Sequence, residues 1–414
     1  MPERYVAYKT ELKLNNQQAS FCARHAGTAR WSFNWALRRC IDVYQATEKR
    51  PTAIDLHREI IAMKKTPEYS WLKAVSKCSP QSALRDLDQA FKNYFNSLQG
   101  GKLKSRHPQF KRKRIGEGSF RLEGTIHIAD GWIQLPKLGR LRLKQRGYFP
   151  TDDQLRRAGE KVLSVTVSER AGHWFCSIKI LRKVPEPIRS ENQTVGVDLG
   201  FKNVAVLSDG TVYPSHQFHI RQLKRLRYLN KKVARAQKGS QNWRKAMMQY
   251  RRLHYRIANQ RNDQLHKITT HLVRNFGTVV IETLNVSGMH RNPRLSKRAH
   301  DSALYEFTRQ LEYKAEWAGV EIIRASMWYP SSQLCSRCGE RHRELTLRDS
   351  TFCCPACGFT VDRDLNAARN LKDLAKASMA AGAAVTACGD IVRPGRSSAA
   401  SGRTSAKQEI GRAT

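Results

Sequence analysis

The sequence contains no run of about 18 apolar residues, so no membrane-spanning helix is predicted. Its first stretch, MPERYVAYKTELKL, lacks the apolar core of a secretory signal, and none is expected. Acidic residues are scarce: 35 Asp and Glu stand against 74 Lys and Arg, a formal net charge of +39. A soluble chain this basic carries a polyanion, with nucleic acid the leading candidate. No internal repeat is evident. Cysteine is not spread as in a disulfide framework: five of the ten fall within residues 335–357. Without a secretory signal, those read as metal ligands in a reducing compartment. At 414 residues the chain is too long for one small domain, and two to four are expected. With 40% hydrophobic residues it can build real cores.

Residues 4–14 suit a strand, and 16–48 and 54–64 suit helices. Ser79-Pro80-Gln81 reads as another helix start, with serine as cap and proline at the first helical position. Its apolar face would carry Leu84, Leu87, Ala90 and Phe91. The basic linker GKLKSRHPQFKRKR follows, and residues 118–182 then read as strands and turns. Pro185 and Pro187 mark a boundary. TVGVDLG reads as a strand and NVAVLSDGTVYP as a hairpin turning at Asp209-Gly210. Long helices are predicted over 217–276, a buried strand at TVVIE, a helix over 302–318 and a strand at VEIIRAS. That order suits an α/β domain with helices on its sheet.

Three acids stand out. Asp198 ends a strand whose Val195 and Val197 share the opposite face. Burying a carboxylate there is costly unless something positive faces it. Glu282 closes the apolar strand Val279-Val280-Ile281. If the two strands are parallel neighbours, both carboxylates emerge at the sheet end where open α/β folds hold their sites. Asp364 begins a helix whose Ala367, Ala368 and Leu371 can pack on that sheet. Together the three could bind two divalent metals about 3.5–4 Å apart and cut a phosphodiester. Read singly, each is ordinary: an Asp at a strand end forms turns, and an Asp at a helix start caps.

Cys335-x-x-Cys338 and Cys354-x-x-Cys357 have zinc-ribbon spacing, and glycine follows each pair. Four thiolates satisfy tetrahedral Zn²⁺ with no open position, so the site reads as structural. Cys353 competes with Cys354 for the third place, and the second x-x-Cys spacing favours Cys354. Between Arg221 and Asn262 lie 14 Lys and Arg with no Asp or Glu. A charge run is usually a solvated face. Here the length without acids, and the interleaved Tyr228, Trp243, Tyr250 and Tyr255, favour phosphate contact, although those aromatics suit a core equally well. The residues singled out for nucleic acid are Lys111, Arg112, Lys113, Arg114, Arg225, Lys231, Lys232 and Arg252.

VGVDLG, VVIETLNVSGM, CSRCG…CPACG and DRDLNAARN, in that order, resemble the TnpB family of bacterial insertion sequences, relatives of the type V CRISPR effectors. TARWSFNWAL, SPQSALRDLDQAFKNYF and HPQFKRKR extend the likeness upstream, so it covers the chain to about residue 375. The resemblance implies a multidomain α+β fold. Residues 189–333 and 360–375 would form an RNase H-like (RuvC-like) α/β nuclease domain, with a zinc ribbon inserted at 334–359. Residues 1–15 and 115–188 would form a wedge-like β-barrel and 16–114 a helical recognition domain. Beyond the likeness, the composition of 376–414, rich in Ala, Gly, Ser and Arg, reads as a disordered tail. Asp198, Glu282 and Asp364 fall on the family's catalytic acids, which hold Mg²⁺ or Mn²⁺, and the four cysteines on its zinc ligands.

The implied activity is RNA-guided cleavage of double-stranded DNA. A structured guide RNA from the transposon end pairs with one strand, while the protein reads a short flanking motif. A monomer on one guide RNA, in the cytoplasm of a bacterium or archaeon and at the nucleoid when targeting, is expected. Gln81, in a helix first turn, could read an adenine of the flanking motif; its ordinary reading is a solvated residue. Four other functions compete. A nuclease-inactive RNA-guided repressor would have lost an acid. A compact type V CRISPR effector would be longer. A true transposase lacks need of the RNA-binding charge, and a junction resolvase lacks need of so large a basic N-terminal half.

Overall fold

The computed structural model of the protein describes residues 3–100, 105–187, 193–346 and 349–380, with side chains as far as residue 375. The expected tail lies outside the described side chains, and from 381 onward outside the described residues, as does 101–104 of the basic linker. The chain forms two compact units. One comprises Met1–Pro187 with Gln217–Leu265, the other Ile188–His216 with His266 onward.

In the first unit, β1 (Glu3–Lys13) leads into α1 (Asn16–Thr47). A capping box fixes that junction: Asn15 Oδ1 accepts the Gln18 N–H at 2.8 Å, and Gln18 Oε1 accepts the Asn15 N–H at 3.1 Å. Next come α2 (Ala53–Met63) and α3 (Cys78–Leu98). The start of α3 differs from expectation, because Ser79 does not cap it. Ser76 Oγ accepts the Cys78 N–H at 3.4 Å, and Pro80 stands at the third helical position. Proline is tolerated there because first-turn N–H groups have no intrahelical acceptor. Leu84, Leu87 and Phe91 are buried on the face predicted, beside Phe33 and Leu37 of α1.

The strands β2 (Glu117–Leu122), β3 (His127–Ala129), β4 (Trp132–Leu135), β5 (Gly139–Leu143), β6 (Lys161–Arg170) and β7 (His173–Lys183) join β1, with α4 (Asp152–Arg157) between β5 and β6. The antiparallel order is β2-β6-β7-β1-β5-β4-β3. Among the described residues no ladder joins β2 to β3, so the expected barrel is not closed by hydrogen bonds. Helix α4 was not predicted; its six residues are too short for a helical period to be read.

The first unit also holds α5 (Phe218–Arg221), α6 (Leu223–Arg235) and the first part of α7 (Gln241–Asn275). Leu226 and Leu229 of α6 pack with Leu253 and Ile257 of α7, turning their charged faces outward. This seam is what lets so basic a segment fold: the apolar stripe is narrow but continuous.

In the second unit, β8 (Thr194–Asp198), β9 (Asn203–Leu207), β10 (Val212–Pro214), β11 (Thr278–Glu282) and β12 (Glu321–Ala325) form one sheet, ordered β10-β9-β8-β11-β12. β8, β11 and β12 are parallel, and β9 and β10 are antiparallel. Short helices α8 (Val286–Arg291) and α9 (Ser296–Ser302) precede α10 (Leu304–Ala318). The helix predicted over 302–318 thus starts after a left-handed Ala303. The hairpin β13 (Thr351–Cys353) and β14 (Thr360–Asp362) then leads directly into α11 (Arg363–Ala380). Ala367, Ala368 and Leu371 of α11 are buried, as their spacing predicted.

Candidate active site

The parallel register of β8 and β11 ends with Val197 opposite Ile281, so the next residues, Asp198 and Glu282, leave the sheet at the same end. Only a parallel pair does this; antiparallel strands would carry the two carboxylates to opposite edges. Asp364 reaches the same end from α11, which packs across β8, β9 and β11. Gly196 permits that packing. A Cβ on it would overlap the Ala368 carbonyl oxygen and stand 2.5 Å from Lys372 N. The helix therefore rests on bare backbone two residues before Asp198.

The start of α11 frees Asp364 for this position. Asp362 Oδ1 accepts the N–H groups of Asp364 at 3.0 Å and Leu365 at 3.1 Å. Asp362, not Asp364, is the cap. Ser331 Oγ donates to Glu282 Oε1 and fixes that carboxylate. Arg363 lies 3.4 Å from Asp364 Oδ1. Burial lifts the Asp198 carboxyl well above the ordinary range, and the charges of Glu282 and Asp364 lift it further. Glu282 is also raised, first by burial, against the pull of the Ser331 hydrogen bond. Three mutually repelling oxygen donors of this kind suit hard divalent cations such as Mg²⁺ or Mn²⁺.

Among the described residues, Cys335, Cys338, Cys354 and Cys357 form the group of metal-type ligands whose donor atoms all lie within 4.8 Å of one another; the three carboxylates form no such group. Cys338 and Cys354 Sγ are 3.5 Å apart, and Cys335 and Cys357 Sγ 3.8 Å. A tetrahedron of sulfurs about 2.3 Å from zinc has edges of roughly 3.8 Å, so the spacing fits Zn²⁺. Cys353 is outside the group, with Thr360 Oγ1 donating to its sulfur at 3.6 Å. Cys353 is the exposed last residue of β13, whereas Cys354, just past the strand, is buried. The backbone N–H of Cys357, with that of Ala356, pulls the Cys354 thiol down to about 7.

Two asparagines that the sequence reading did not single out join this ribbon to the acids. Asn366 Nδ2 donates to Leu334 O at 2.6 Å, and its Oδ1 accepts the Ser336 N–H at 3.0 Å. Asn370 Nδ2 donates to Ser331 O and Leu334 O, both at 2.7 Å. Both asparagines are buried in α11, two and six residues past Asp364. The clue was in the sequence: polar residues four apart on a face otherwise made of Ala and Leu.

All eight of the basic residues singled out are exposed: Lys111, Arg112, Lys113, Arg114, Arg225, Lys231, Lys232 and Arg252. Three of them also have partners within the first unit. Lys111 sits over the Phe33 ring at 3.8 Å and is held by Asn34 through its backbone. Arg114 lies 3.6 Å from Glu117, and Arg252 Nε donates to Ala171 O at 3.5 Å. Of the interleaved aromatics, Tyr250 packs on the α6–α7 seam and Tyr255 on His173 and Phe175, while Tyr228 is exposed. Gln81 is half-buried, its N–H bonded to Lys77 O at 3.4 Å.

Comparison with known proteins gives three family matches. Residues 177–293 match the OrfB_IS605 model, described as "Probable transposase". Residues 305–371 match "Cas12f1-like, TNB domain", and 1–49 match "Helix-turn-helix domain". A Streptomyces pristinaespiralis protein named "Putative RNA-guided DNA endonuclease" is 35% identical over 99% of this chain and 97% of its own length. "Putative RNA-guided DNA endonuclease InsQ" of Escherichia coli K12 is 35% identical over 95% and 96%. The fold is similar to the Cas12f1 chain of a solved Cas12f1–sgRNA–target DNA complex, with a TM-score of 0.51 at 14% identity, covering 87% of this chain and 83% of that one.

Proposed function

Because the chain belongs to the OrfB (TnpB) family of IS605-type elements, we propose that it is an RNA-guided DNA endonuclease that cuts at Asp198, Glu282 and Asp364. The observation carrying this reading is the convergence of the three acids at one sheet end, with burial and mutual repulsion raising Asp198 and Glu282. Protein alone leaves such a cluster unfavourable. Held by these carboxylates, Mg²⁺ or Mn²⁺ would supply an activated water and neutralise charge on the scissile phosphate.

The chain's own residues set the geometry. Ser331 orients Glu282, and Asp362 caps α11 so that the Asp364 carboxylate is not spent on the helix. Asn366 and Asn370 brace α11 against the loop below the ribbon. Cys335, Cys338, Cys354 and Cys357 would hold Zn²⁺, which would stiffen that brace and so help to keep Asp364 over the sheet. This accounts for a ribbon lying so few residues from an acid.

Sequence is read by pairing between guide RNA and target strand, and the protein supplies phosphate contacts. Exposed Arg112, Lys113, Arg225, Lys231 and Lys232 serve as those contacts. The seven-stranded sheet and α1–α3 correspond to the wedge and recognition regions, and Gln81 reads the flanking motif. A repressor reading is disfavoured by the presence of all three acids. The test is to purify the protein with its native locus, sequence the bound RNA, and challenge the complex with a matching DNA duplex and Mg²⁺. A guide-like RNA and a cut dependent on its sequence support the reading; a complex without RNA contradicts it.

A further inference from the structure

Trp328 is the most exposed large hydrophobic side chain among the described residues, at 86%, and Met327 beside it is 51% exposed. An indole held in water gives up apolar burial, so its position calls for a partner. The loop that carries it is firmly built. Ser326 Oγ accepts the Trp328 N–H at 3.3 Å, and the Tyr329 N–H donates to Ser326 O at 3.0 Å. The Tyr329 hydroxyl donates to Asn370 O at 3.2 Å. The Ser331 N–H donates to Tyr329 O at 2.9 Å, and its hydroxyl donates to Glu282.

Those anchors fix where the indole is. Ala325 is the register partner of Glu282 in the parallel pair β11–β12, and Ser331 touches the Glu282 carboxylate. Trp328 is three residues from each. Three residues of chain span at most about 10 Å. The backbone of Trp328 therefore lies close to the Glu282 carboxylate, on the sheet end where the acids emerge, and its ring is exposed there.

We propose that Trp328 is a stacking platform for an unpaired DNA base next to the phosphodiester held at Asp198, Glu282 and Asp364. The inference rests on the nuclease reading of those acids and adds a substrate contact to it. A base is the favoured occupant because the chain carries +39 and the neighbouring site suits a phosphodiester. A duplex offers only base edges, whereas an unpaired base offers its face, so the ring selects single strands. Such stacking is tolerant of base identity, as a guided nuclease requires.

The experiment uses the full chain with its guide RNA, bound to target before Mg²⁺ is added. Trp328→Ala and Trp328→Leu should slow cutting by about ten-fold, while Trp328→Phe keeps most of the rate and target binding is unchanged. A 2-aminopurine beside the cut position brightens when its strand unpairs; in the bound Asp198→Ala complex the indole should quench it relative to Asp198→Ala with Trp328→Ala. A Leu variant as fast as Phe, or equal fluorescence with and without the indole, overturns the proposal. If Trp328→Ala cuts normally while Asp198→Ala is dead, the platform fails and the nuclease reading stands. If Asp198→Ala itself cuts, both fall.

Discussion

The backbone of Ala368 occupies the space in which a side chain at Gly196 would sit. The closest obstacles are backbone atoms of α11, which cannot swing aside as a flexible side chain could. Gly196→Ala must therefore push α11 off β8, a small-to-large change in a tight core that should cost about 3 kcal/mol or more. Chemical unfolding of the purified protein checks this, and cleavage should fall with stability because α11 carries Asp364. A Gly196→Ala protein as stable as wild type would mean that helix and strand are less closely packed.

Asp198 leads to a prediction about pH. Its folded carboxyl titrates above the unfolded value, so the folded state holds the proton longer. Stability contributed by this group is then highest at low pH and declines as pH rises from about 4, the ordinary carboxylate value, through the raised one. In the presence of EDTA, Asp198→Asn should raise the melting temperature at neutral pH and lose that advantage near pH 4. Equal melting curves for both proteins at pH 7 would contradict a buried, repelled carboxylate.

Metal analysis of the ribbon should find about one zinc per chain. Cys338→Ser and Cys354→Ser should lose the metal, whereas Cys353→Ser should keep it, since its sulfur lies outside the four-thiol group. Loss of zinc should also lower the melting temperature of the unit through Asn366 and Asn370. Zinc retained in Cys354→Ser and lost in Cys353→Ser would reverse the ligand assignment.

Guide-RNA affinity should fall steeply with salt. Replacing Arg225, Lys231 and Lys232 together by Ala should flatten the log–log slope by about 2, at roughly 0.7 per single-strand phosphate contact. Arg252→Ala should leave that slope nearly unchanged, because its guanidinium is turned to Ala171 O. A triple variant with the wild-type slope would remove this surface from the RNA interface.

Much of this was legible in the sequence because it rests on period and spacing. The apolar strands ending in Asp198 and Glu282, the paired Cys-x-x-Cys and the Ala-rich face of α11 all appear as patterns of a few residues. What was hidden depends on partners distant in the chain. The start of α3 is a local exception: Ser76 receives the Cys78 N–H, and Ser79 lies inside the helix as its second residue. That Arg252 braces a turn and Lys111 covers Phe33 follows from the folding of the first unit, and composition reads both simply as positive charge. Asn366 and Asn370 carry no charge pattern, and their role emerges only with the carbonyls of Ser331 and Leu334 beside them.

The central claim is that one triad of carboxylates cuts the DNA. Its most direct measurement is cleavage of a guide-matched duplex with Mg²⁺ by Asp198→Ala, Glu282→Ala and Asp364→Ala, each loaded with guide RNA. Every variant should bind guide RNA and target as the wild type does and leave both strands intact, because each lacks an oxygen ligand and none lacks a basic contact. Cutting by any one of the three at near the wild-type rate would contradict the assignment of that residue and the single-site account with it.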